Sequence, residues 1–262
     1  MKKRYKFLVF LIISPIVIVG VMSVNQVFTK NKGQSVSRGT RANGSLENGW
    51  LIPYSGKNFN YFSYISYFLM ENGYVHHKVY HAVVDSYAAL EKSQPEKHFT
   101  IMECSDKNGG PVWFHKTHRN GTSIDFMSPK IKNGKVYKDL DNWGLFHYVL
   151  EFDTEGKLQK KYPYTDFIHP QIGKSVSNYL DPEVEIDFET MAQHILALDD
   201  ACKKNGIRIS KVILMIELKK KLFATPSGKK VLARGIPFAT KLPDAVNRMH
   251  EDHYHIDFRL ND

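Results

Sequence analysis

His118, Asp125, His253 and His255 carry the side chains whose types and spacing suit metal chemistry. They fall in two stretches. One runs from Gly109-Gly110-Pro111 through His115 and His118 to Asp125, and the other reads His250-Glu251-Asp252-His253-Tyr254-His255. Side chains alternate along a strand, so a strand through the second stretch projects His253 and His255 from one face and Tyr254 from the other. In Ser123-Ile124-Asp125-Phe126 the apolar pair Ile124 and Phe126 turns to a core, which leaves Asp125 on the opposite face. His118 precedes that strand across a turn that Gly121 can make. A loop histidine, a strand aspartate and a strand histidine can thus converge on one zinc ion. His118, Asp125 and His255 supply three N/O ligands and leave a fourth position for water, as in catalytic rather than structural zinc sites. Zinc lowers the pKa of a water towards ~7 and polarises a carbonyl, which is what amide hydrolysis requires. His253, beside His255, is placed to act as a base or to stabilise an oxyanion. His115 and His250 flank the clusters and are read as rim or supporting residues. A lone His-x-His on a strand ordinarily signals packing or surface; it is the conjunction of the two stretches that points to a metal.

The remaining histidines read as ordinary. His77 and His81 share a helix face, but Lys78 stands where a thermolysin-type site needs glutamate. His76, His98, His147, His169 and His194 have no partner at ligand spacing.

The elements that must position these groups follow from periodicity. Val79, Tyr80, Val83, Val84, Tyr87 and Leu90 predict a helix over about 76–92. Asp187 reads as the N-cap of a helix carrying Met191, Ile195, Leu198 and Cys202 and closing at Asn205-Gly206. Strands are expected at Phe99–Cys104, Ser123–Met127, Val212–Ile216 and His253–Leu260, with a hairpin arm at Phe146–Phe152 turning over Asp153–Gly156. Helices and strands interleave irregularly, without internal repeats or a glycine-rich phosphate loop, so the fold class is α+β. The aromatic stretch from Trp50 to Phe68 reads as core, or as the wall of a cleft. Cys104 and Cys202 are open to two readings, a disulfide or separate buried thiols.

The formal charge of +9 is concentrated at one end. Eight of the 36 basic residues but one of the 27 acidic ones lie within residues 1–48, which leaves 28 basic and 26 acidic residues beyond, a net +2. That balance excludes the electrostatic footprint of a nucleic-acid binder. Met1–Lys6 is basic, and the apolar run Phe7–Val24 after it spans about 27 Å as a helix. Residues 1–24 are therefore expected to be a signal peptide or a membrane anchor, with the body outside the cytoplasm. The polar, Ser/Gly-rich residues 25–44 read as a flexible linker, and residues 45–262 as the folded domain.

These residues resemble the penicillin-insensitive murein endopeptidases. They belong to a wider group of zinc peptidases with lysostaphin-type enzymes, D-Ala-D-Ala peptidases and the hedgehog signalling domain. The likeness runs through Asn43–Pro53, Gly109–Asp125, Ile207–Leu222 and His250–Leu260. The histidine and aspartate spacings match the family's His-x2-His-x6-Asp and His-x2-His-x-His patterns without a gap. The resemblance implies a domain of the hedgehog and D,D-peptidase type, with a central, mainly antiparallel sheet flanked by helices. It implies one zinc on His118, Asp125 and His255, a catalytic His253, and accessory His115 and His250. The implied activity is hydrolysis of D-alanyl–meso-diaminopimelate cross-links in peptidoglycan, in the periplasm. Alternatives are a D,D- or L,D-carboxypeptidase on the same fold and a non-hydrolytic, metal-stabilised cell-wall-binding module. The sequence departs from the family at Ser123, where an acidic residue is common, and at Met102-Glu103, which replaces Gly-Asp. It has no counterpart to the aspartate and histidine that serve a second metal in some members, so a second ion is not expected.

Overall fold

The computed structural model describes residues 20, 28, 30–112, 115–141, 144, 147, 150–159 and 183–260. The apolar run 7–24, apart from Gly20, lies outside them, as do Trp113, Phe114, His169 and most of the expected arm before Leu150.

The chain is α+β, built on a five-stranded sheet. Its order is β11 (Ile207–Ile213), β12 (His253–Leu260), β7 (Ser123–Met127), β6 (Phe99–Ile101) and β4 (Phe59–Tyr61). All neighbours are antiparallel except β4 and β6, which run parallel. The period of two sorts the central strands by chemistry. Ile124 and Phe126 from β7 join Tyr254, Ile256 and Phe258 from β12 in the core, each at most 1% exposed. The alternate positions Asp125, His253, His255 and Asp257 are buried too, on the other face.

Two long helices cover the apolar face. α1 (His77–Ser93) buries Val79, Ala82, Val83, Ser86, Tyr87 and Leu90, the helical stripe expected from the sequence. α2 (Phe188–Lys204) begins at Asp187, whose carboxylate accepts from the backbone N–H and hydroxyl of Thr190. Between them His194 is a core residue: its ring stacks on Tyr87 and meets Phe126 edge-on, and its Nδ1 lies 2.5 Å from the Tyr254 hydroxyl. Burial pushes its pKa down to about 3 and keeps it neutral.

The strands and tether differ in detail from expectation. β11 occupies Ile207–Ile213 rather than Val212–Ile216, because Gly206 (φ 66°) closes α2 and lets the chain pair at once with Leu260. β6 ends at Ile101. Of the expected hairpin arm, Phe152 bridges Leu158 across the turn that ends in Gly156. The linker expected to run to Gly44 is corrected. Val36–Gly39 (β1) pairs antiparallel with Gly44–Glu47 (β2), closed by reciprocal hydrogen bonds between Thr40 and Asn43. Its polar composition suited solvated chain equally well, but Leu46 enters the core and Ser37 donates to the Asn120 carbonyl. Most of the aromatic stretch is core, with Phe59, Tyr61, Phe62, Tyr67 and Phe68 buried. Cys104 and Cys202 are separate buried thiols. No helix among the described residues is long and apolar enough to cross a membrane.

The β2 strand docks on the histidine-bearing loop through Leu46 N–H to Asn108 O and a bridge between Ser45 and Gly109. Gly109 (φ 72°) has no room for a side chain: a Cβ would lie 2.4 Å from Arg119 O and 2.5 Å from Leu46 N. Gly134 has the same φ in the turn between β8 (Lys130–Lys132) and β9 (Lys135–Val136), but nothing within 4 Å of its Cβ position. Gly134→Ala should therefore cost only left-handed strain, about 1–2 kcal/mol. Gly109→Ala should cost about 3 kcal/mol or more, because backbone must move. Urea denaturation of the two variants reads the difference, and equal losses would contradict this packing.

Candidate metal centre

The ladder between β7 and β12 sets Asp125 directly opposite His255, with Ile124 opposite Ile256 and Met127 opposite His253. Side chains opposite one another in such a ladder lie within contact of each other. Here Asp125 Oδ1 is 2.7 Å from His255 Nδ1.

The second oxygen of Asp125 meets the loop. His118 Nε2 lies 3.1 Å from Asp125 Oδ2, and His115 Nδ1 lies 3.5 Å from the same oxygen. One ligand atom each from His115, His118 and Asp125 fall within 4.8 Å of one another, a group that could hold a metal ion. The loop is built for this approach. Gly121 (φ 72°) turns it, with its carbonyl accepting from His76 N–H, and Gly110 N–H donates to Arg119 O. His118 itself sits at φ 70°, a left-handed conformation uncommon for a residue with a side chain. Its ring is 0% exposed, yet among the described residues neither ring nitrogen has a hydrogen-bond partner. His118 Nε2 and Asp125 Oδ2 thus approach to 3.1 Å without forming a hydrogen bond. Two ligands at zinc distances in a tetrahedral arrangement stand roughly 3.3 Å apart, so the spacing fits a metal between them.

Electrostatics point the same way. Burial works against the charge of Asp125, but His118 and His255 hold its carboxyl well below the usual range. Burial also opposes the charge of His255, yet Asp125 and then Asp257 raise it to about 9. Both ring nitrogens of His255 thus face carboxylates, Nδ1 toward Asp125 and Nε2 toward Asp257. Burial and the adjacent His118 push His115 down to about 3, leaving it neutral.

Carboxylates stand behind both strand histidines. Asp257 Oδ1 is 2.8 Å from His255 Nε2 and also accepts from the Ser123 hydroxyl at 2.7 Å. Ser123 thus acts as a donor to the supporting carboxylate. Asp252 Oδ1 is 2.6 Å from His253 Nδ1, and its Oδ2 is 2.7 Å from His147 Nδ1. Burial disfavours charge on His253, but Asp252 raises its pKa above the ordinary histidine value. His250 sits 4.8 Å, ring to ring, from His253 and donates its Nδ1–H to Val246 O. Burial and His253 lower it to about 4.

The structure thus brings His115, His118 and His255 to the Asp125 carboxylate, with His253 and His250 alongside. The residue that completes the tightest group is His115, read from the sequence as accessory. Asp257 was legible by alternation two positions after His255, and Asp252 by adjacency to His253; neither was singled out. His147, read as ordinary, had no sequence signal because its partner lies 105 residues away. No protein-family model matches the chain, and no curated protein matches its sequence.

Glu103 lies beneath the site, accepting from the Ser66 hydroxyl at 2.7 Å, while its backbone carbonyl accepts from Asp125 N–H. Burial raises its pKa from 4.5 to about 7. Between those values the folded protein holds a proton that the unfolded chain has released, so stability falls as pH rises through the window. Relative to Glu103→Gln, the metal-free wild type should lose about 3 kcal/mol between pH 4.5 and 7, at ~1.4 kcal/mol per pH unit. Urea titrations at several pH values test this; parallel pH profiles for the two proteins would refute the buried neutral acid.

Proposed function

We propose that the protein is a zinc-dependent peptidoglycan endopeptidase that hydrolyses D-alanyl–meso-diaminopimelate cross-links outside the cytoplasm. The observation that carries the metal is His118, wholly buried and left-handed, with no hydrogen bond to either ring nitrogen among the described residues and with Nε2 3.1 Å from Asp125. Its ligand set is His118, Asp125 and His255, with His115 at hand as a further donor. His255 supports this assignment because its Nδ1 faces Asp125 while its Nε2 is tied to a carboxylate, as metal-bound histidines usually are. The imidazole and carboxylate donors suit zinc.

A zinc ion bound there supplies Lewis acidity toward a peptide carbonyl and lowers the pKa of water. The chain's own residues supply the rest. Asp252 accepts the Nδ1–H of His253, which fixes the tautomer and leaves Nε2, with no hydrogen bond among the described residues, as the base. Nε2 takes a proton from the attacking water and returns it to the leaving amine. Because Asp252 raises the pKa of His253, the imidazolium formed between these two steps is stabilised. The cross-link specificity rests on the resemblance of the two histidine motifs. The apolar run 7–24 serves as the export signal or inner-membrane anchor.

Metal content and digestion of purified sacculi, with products identified by mass spectrometry, test this reading. The wild type should carry about one zinc per chain and convert cross-linked dimers to monomers. His118→Ala and His255→Ala should lose both zinc and activity. His253→Ala should keep zinc but slow cleavage by roughly 10²–10⁴-fold. A zinc-loaded protein that cleaves no cross-linked muropeptide would sink the endopeptidase; release of free amino acid instead would move it to a carboxypeptidase.

A further inference from the structure

We propose that the β1–β2 hairpin is a clasp that sets metal affinity, with Arg41 as its positioning residue; this rests on the metal reading above. Arg41 lies in the turn of a hairpin whose sequence resembles a tether, yet it reaches both halves of the site. Its Nε forms an ion pair with Asp257 Oδ1 at 3.2 Å, and Asp257 holds His255 Nε2. Its Nη2 donates to the Ser210 hydroxyl at 2.9 Å and to the Phe258 carbonyl, which ties the guanidinium to β11 and β12. Its own carbonyl accepts from Arg119 N–H at 3.1 Å, one residue beyond His118. The rest of the hairpin reinforces that second grip through Ser37 to Asn120 O and Leu46 to Asn108 O.

One side chain and its own backbone therefore link the loop that carries His118 to the carboxylate that aims His255. Asp257 has a second cation, Lys211, at 3.1 Å, but that side chain is about half exposed and holds the carboxylate from the solvent side. A guanidinium fixes direction in a way an ammonium does not, because its donors lie in one plane at fixed angles. With Arg41 removed, Asp257 keeps Lys211 and the Ser123 hydroxyl but loses the guanidinium that ties it to β11 and β12. The carboxylate behind the His255 ring is then less firmly placed, and the link between it and the His118 loop is weakened. Losing such outer partners of a ligand lowers metal affinity about 10- to 100-fold.

Zinc dissociation constants, read by competition with a chromophoric chelator on the folded chain, decide the matter. They are paired with the visible spectrum of the cobalt-substituted protein and the thermal midpoint of the metal-free form. Arg41→Ala should bind zinc about 10- to 100-fold more weakly and change the cobalt spectrum. Arg41→Lys, which keeps the charge without the fork, should fall between. Arg38→Ala removes an exposed ion pair with Glu47 on the same hairpin and should bind as wild type does. Arg41→Ala binding as tightly as wild type, or Arg38→Ala losing as much, overturns the clasp. Should Arg41→Ala fail to fold, Arg41→Lys decides on the same criterion. A wild type that takes up no zinc at all overturns the metal reading itself, an outcome distinct from the others.

Discussion

The register of β12 against β7 is the constraint on which the rest depends. It places Asp125 opposite His255, and a slip of one residue would send every histidine of β12 to the helix-covered face and Tyr254, Ile256 and Phe258 to the other. That alternative is blocked by packing: the three apolar side chains are essentially fully buried against the face that α1 and α2 cover. The hydrophobic set on one side of the strand thus enforces the geometry of the polar set on the other. The chemistry borrows its precision from the core.

Burying so much charge needs a compensating arrangement, since an isolated buried carboxylate is costly. Each carboxylate here faces at least two cationic or donor groups. Asp125 lies between His118 and His255, Asp252 between His147 and His253, and Asp257 among His255, Ser123, Arg41 and Lys211. His118 stands apart, because among the described residues it meets Asp125 without a hydrogen bond to either ring nitrogen. A metal ion would complete the pattern at that point rather than add a new one.

What was legible in the sequence was whatever local periodicity encodes. The strand His253–Leu260, the strand Ser123–Met127, the cap at Asp187 and the end of its helix all followed from spacing. So did the sharing of one face by His253 and His255. The spacing of His115 and His118 pointed to the loop, but not to which of them comes nearest Asp125, because that depends on the turn at Gly121 and a left-handed His118. Arg41 and His147 act across more than a hundred residues through tertiary contacts, and no local pattern marks such residues. Residues 36–44 differ from the expected linker for another reason: serine, threonine and glycine serve a solvated tether and a tight hairpin turn equally well, and only the partner surface distinguishes them.

The order of strands in the sheet has a temporal side. β12 lies between β11 and β7, yet it is synthesised after all four of the other strands. Until it emerges, β7 and β11 have unpaired facing edges, and Asp125 has no His255. The nascent chain therefore carries an open sheet from the time β7 is made until β12 follows it. The pairing of Asp125 with His255 is thus completed late, when the last strand of the sheet slots between two that have been waiting for it.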